Sequence, residues 1–91
     1  MEIKSISDFR KAMRNGPYAW PGGYPCYFLT SDGESLSFKA VRQELKQVLW
    51  SIAHKQNDGW RVIALDINWE DDNIFCAHTG ERIESAYGTE A

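Results

Sequence analysis

Ninety-one residues, 43% of them hydrophobic, make one domain with a single core; there is no room for a second. With pI near 5.3 the chain is too acidic to hold duplex nucleic acid unaided, because phosphate contacts supply most non-specific affinity. The charge is segregated: residues 1–56 carry eight basic and five acidic side chains and residues 57–91 carry two and eight, a division that can steer a partner. No apolar run nears the roughly 18 residues of a spanning helix, and the start lacks a basic-then-apolar leader. A soluble cytoplasmic protein is expected, with Cys26 and Cys76 as free thiols rather than a disulfide.

Ser5 is placed to cap a short helix, with Asp8 three residues on and Ile6, Phe9 and Met13 at helical spacing. Gly16-Pro17 ends it. The segment Tyr18-Ala19-Trp20-Pro21-Gly22-Gly23-Tyr24-Pro25 favours neither helix nor central strand and reads as an ordered aromatic loop. Its rings either present a binding surface or cap the end of a small sheet. Cys26–Thr30 and Ser35–Phe38 read as a hairpin around the turn Ser31-Asp32-Gly33-Glu34. From Lys39 to Gln56, Val41, Leu45, Val48, Leu49 and Ile52 form one stripe of a long amphipathic helix, closed by Asn57-Asp58-Gly59.

Trp60 to Trp69 reads as the longest strand, with Ile63, Leu65, Ile67 and Trp69 inward and Val62, Ala64, Asp66 and Asn68 outward. An acidic turn, Glu70-Asp71-Asp72-Asn73, leads to strands at Ile74–Cys76 and Arg82–Tyr87 around a tight turn at His78-Thr79-Gly80-Glu81, and the last four residues are expected to fray. The order predicts an α+β domain: a short N-terminal helix, a β-hairpin, and a long helix packed on a small antiparallel sheet.

The aromatic segment 18–25, the Asp32-Gly33 turn, and Ile67-Asn68-Trp69-Glu70-Asp71-Asp72 running on to Cys76 and Gly88 resemble a family of small, mostly uncharacterised proteins of tailed phages and prophages. The resemblance implies a zinc-ribbon-like scaffold whose two Cys-x-x-Cys knuckles fall at Ser37/Ala40 and Cys76/Thr79. Only one of those four positions holds a thiol, and a tetrahedral zinc site needs four converging donors, so neither metal nor cofactor is expected. Packing by Phe38, Phe75, Ile83 and Tyr87 is expected to replace the metal. The resemblance also implies a cytoplasmic location in a bacterial host.

Catalysis has no assembled group to rest on: Cys76 with His54 or His78 lacks an orienting carboxylate and an oxyanion hole, and Gly22-Gly23 does not open a helix as a phosphate loop does. The acidic turn lacks the spaced oxygens of a calcium loop. Two readings remain. In the first, a non-catalytic module binds a host or phage protein through Tyr18, Trp20 and Tyr24 with Glu70, Asp71 and Asp72, as small acidic phage inhibitors of bacterial defence, anti-CRISPR proteins among them, do by analogy of size and origin. In the second, a degenerate zinc ribbon contacts nucleic acid through Lys39, Arg42, Lys46 and Lys55.

Overall fold

A computed structural model describes residues 1–87. Helix α1 (Ile6–Asn15) begins where the Ser5 side chain accepts the Asp8 amide at 3.2 Å and the Asp8 carboxylate accepts the Lys4 amide at 3.0 Å. The first bond satisfies an amide that a helix start otherwise leaves open, and the second ties the entering chain to the first turn. It stops at Gly16, whose φ of 82° suits a residue without Cβ.

Strands β1 (Tyr18–Ala19), β2 (Tyr24–Thr30), β3 (Ser35–Leu36) and β4 (Val62–Ile67) form an antiparallel sheet built around β2. Both β3 and β4 pair with Phe28 and Leu29, so they flank β2 on opposite sides. The outer edge of β4 is covered by the chain's first residues, where Ile3 donates to the Ile63 carbonyl and Leu65 to that of Met1, each at 2.8 Å. The predicted aromatic loop is itself a tight hairpin, β1 against β2, with a cis bond between Trp20 and Pro21.

The expected long helix is two helices. Ser37 accepts the Ala40 amide at 3.1 Å and starts α2 (Phe38–Gln43), and Glu44, at φ −112° and ψ 36°, separates it from α3 (Leu45–His54). Phe38 therefore leaves the predicted strand and turns inward, 4.5 Å from Phe28, while Phe9 of α1 lies 5.9 Å from Phe28 on the same core. The break lets α2 bury Phe38, Ala40 and Val41 while α3 buries Val48, Ser51 and Ile52; Leu45, predicted inward, is 39% exposed.

Strand β4 is shorter than expected, and its inward face differs. The ladder with β2 slips between Leu29 and Thr30, so Ile63 has no partner on β2. Val62 is buried and Ile63 is 40% exposed, while Leu65 still faces Phe28. Asn68, predicted outward, is buried, and Trp69, predicted inward, is exposed. The last two predicted strands reduce to one bridge, Phe75 to Arg82, closed by the Cys76 amide on the Glu81 carbonyl and the Gly80 amide on that of Cys76, both at 2.9 Å. Of the four side chains expected to pack here, Phe38 and Ile83 are buried, whereas Phe75 and Tyr87 are exposed and add no core. The expected fraying of the last four residues lies outside the described residues. Among those described, no helix is long and apolar enough to cross a membrane.

Candidate functional site

Three aromatic rings gather at one end of the sheet because the β2–β4 register carries on past the last ladder pair. Cys26 faces Ile67, and two residues further along each chain Tyr24 meets Trp69, with ring centroids 4.6 Å apart. The Asn68 amide donates to the Pro25 carbonyl at 2.9 Å, which continues the pairing beyond β4. The Tyr87 amide then donates to the Trp69 carbonyl at 2.7 Å, bringing the Tyr87 ring parallel to that of Trp69, with centroids 6.4 Å apart.

Asn68 holds this end together. Its buried amide donates to the carbonyls of Asp71, Ile83 and Glu84 at 3.0 to 3.3 Å and accepts the Asp71 amide at 3.1 Å. One side chain thus fixes the acidic turn and the C-terminal segment together, which explains its burial: its polar atoms are paired.

The rings remain open to solvent: Trp20 is 75%, Tyr87 61% and Trp69 48% exposed. Gly22 lies directly beneath Tyr24; a Cβ there would fall 2.1 Å from the ring, so only glycine admits this ring position. Trp20 lies over Gly23 and, with Cys26, Leu65 and Asn15, lines a cleft of about 400 Å³ between the end of α1 and the aromatic hairpin. The Tyr18 hydroxyl donates to Glu84 at 3.3 Å, and that carboxylate's charge raises the Tyr18 phenol above its usual range. The Tyr87 phenol is also raised, chiefly by its hydrogen bond with Tyr24.

Tyr18, Trp20 and Tyr24 thus lie at one end of the molecule, joined by Trp69 and Tyr87, which sequence reasoning assigned to the core. A signal for Trp69 was present, since it adjoins the acidic and polar run Glu70-Asp71-Asp72-Asn73, a composition that suits a surface better than an interior; Tyr87 carried none. The acidic turn is less available than predicted. Asp72 accepts from Arg82 at 3.3 Å and from Ser85 at 3.2 Å, and Asp71 caps the Asn73 amide at 2.8 Å. Glu70 is exposed beside Trp69.

Ser37 and Cys76, two of the positions at which the resemblance would place zinc ligands, approach each other. Cys76 is buried, and its Sγ accepts from the Ser37 amide at 3.4 Å and the Ser37 hydroxyl at 3.5 Å. Burial pushes the thiol up, but the donors from Ser37 and Thr79 outweigh it and bring the thiol down to about 7 from 9.0. The folded state thus favours the thiolate, and its contribution, complete above the unfolded value, is lost as pH falls through about 7. The stability gap between the parent and Cys76→Ser, read from urea midpoints, is expected to widen by on the order of 2 kcal/mol between pH 6 and 9. A gap independent of pH would contradict this charge state.

Neither histidine reaches that thiol. His54 stacks on Trp50 with centroids 4.6 Å apart, and His78 packs edge-on against Trp60, with Nε2 4.0 Å from Glu44. Among the described residues no group of three or more His, Cys, Asp or Glu side chains gathers as a metal site, and both cysteines are free. Cys26 is half-buried, and burial raises its thiol. Of the basic side chains predicted for nucleic acid, Lys39 pairs with Glu81 at 3.1 Å, Arg42 and Lys46 are exposed near the α2–α3 break, and Lys55 lies at the far end of α3. Arg42 shares one cleft with Lys39 and another with Lys46, whereas Lys55 stands apart from them. Comparisons with protein-family models, with curated proteins and with solved structures return no match.

Proposed function

We propose that this chain is a non-catalytic module that binds another protein through its aromatic end, with Trp20, Tyr24, Trp69 and Tyr87 as the contact. The observation that carries this reading is the exposure of three large rings, Trp20, Trp69 and Tyr87, around half-buried Tyr24 on a hydrogen-bonded scaffold. Rigid aromatic side chains lose little conformational entropy on binding and bury large areas, which is why Trp and Tyr dominate interface hot spots. A surface of this kind is costly to leave in water without a use. The resemblance to phage proteins supports a bacterial or phage partner, and inhibition of a defence complex of the anti-CRISPR kind is the first activity to assay.

Gly22→Ala tests the reading without removing any ring. The new methyl group forces the Tyr24 ring out of its place while the core stays untouched. Partner binding, measured by titration calorimetry, is expected to weaken at least tenfold, with the melting temperature lowered by only a few degrees. Unchanged affinity in a variant whose Tyr24 ring has moved, as seen by NMR, would remove Tyr24 from the contact.

A further inference from the structure

A second concavity of about 540 Å³ lies between the N-terminal segment, the end of α3 and the start of β4, and none of its lining residues belongs to the aromatic end. Its floor is aliphatic: Ile3, Ile52 and Val62 are buried beneath it, and Ile63, displaced by the bulge, is 40% exposed at its surface. Its rim is basic. Lys4 is offset by Glu2 at 3.1 Å, which leaves Lys55 and Arg61.

Arg61 is held in place by neutral acceptors, its Nη1 donating to the Lys55 carbonyl at 3.3 Å and to Asn57 Oδ1 at 3.4 Å, so its charge is fixed but not cancelled. Neither Arg61 nor Lys55 has a carboxylate within 4.0 Å among the described residues. Lys55 is also the one described non-glycine residue with positive φ, at 53°, a conformation that asparagine adopts more readily. A lysine there retains a cation at some local conformational cost.

We infer that this groove binds an acidic segment of a partner protein, with aliphatic side chains on the Ile63 floor and carboxylates at Lys55 and Arg61. Two like charges over an apolar floor complement alternating carboxylate and leucine side chains, and guanidinium matches carboxylate in geometry. The site stands apart from the aromatic end, so its test does not depend on that reading.

The test is an amide-resolved NMR titration of the full chain with two capped peptides, acetyl-ELELE-amide and acetyl-KLKLK-amide. The acidic peptide is expected to shift the amides of Ile52, Lys55, Arg61 and Ile63, and the basic one to leave them in place. Lys55→Asn, which suits the same backbone conformation, is expected to keep the melting temperature and to weaken the acidic peptide at least fivefold. Should that variant fail to fold, Ile63→Gln at an exposed position is expected to give the same loss. Equal affinity of parent and variant, equal response to the basic peptide, no shifts at millimolar peptide, or stronger shifts from a ten-nucleotide thymidine strand would each overturn the proposal.

Discussion

Val48→Asp is expected to leave the chain unfolded at 25 °C, whereas Leu45→Asp, three residues away on the same helix, folds. Val48 has no exposed surface and sits in the cluster with Phe28, Val41 and Ile52, so a carboxylate there has neither water nor a partner. That costs several kcal/mol, against a net stability of about 5–15 kcal/mol for a typical domain. Leu45 is 39% exposed at the start of α3, and an aspartate in a first turn also faces the positive end of the helix dipole. Far-ultraviolet circular dichroism with urea titration reads both. Equal midpoints would mean that α2 and α3 form one continuous helix with Leu45 on its buried stripe.

The second large effect is on binding. Trp20→Ala is expected to weaken the partner complex by at least about 2 kcal/mol, roughly thirty-fold, with almost no change in melting temperature. The separation of the two readouts follows from exposure: Trp20 lies 75% in solvent on a hairpin outside the core cluster, so the fold loses little when the ring goes. The acidic residues divide differently. Glu70→Gln, at an exposed carboxylate, is expected to slow association and reduce its salt dependence. Asp72→Asn, which weakens the tie to Arg82 and Ser85, is expected to act on stability instead. Loss of fold in Trp20→Ala would place the ring in the core and move the binding surface elsewhere.

What could be read from the sequence was local and periodic. The capped first helix, the Asp32-Gly33 turn and the inward positions Val41, Val48 and Ile52 follow from spacing and turn chemistry that neighbouring residues decide among themselves. The errors arose where a distant contact decided the outcome. Phe38 left the strand because Ser37 caps a helix, and Phe28 offers the ring a place. Ile63 turned outward because of a bulge that alternation alone does not reveal. Trp69 and Tyr87 reached the surface because buried Asn68 binds three carbonyls from two later segments, a network invisible to a strict inside-outside pattern. Three of the five rings of the aromatic end, Tyr18, Trp20 and Tyr24, were legible as a ring-rich turn; the other two, Trp69 and Tyr87, depended on where the chain returns.

The most direct measurement is photo-crosslinking in bacterial lysate from a benzoylphenylalanine placed in turn at Trp20, Trp69 and, as a control at an exposed position outside the aromatic hairpin, Arg10 of α1. One protein species is expected to be captured from the two aromatic positions and not from Arg10, and excess parent chain is expected to compete it away while excess Trp20→Ala does not. Capture from Arg10 alone, or equal competition by the parent and Trp20→Ala, would contradict binding through the aromatic end.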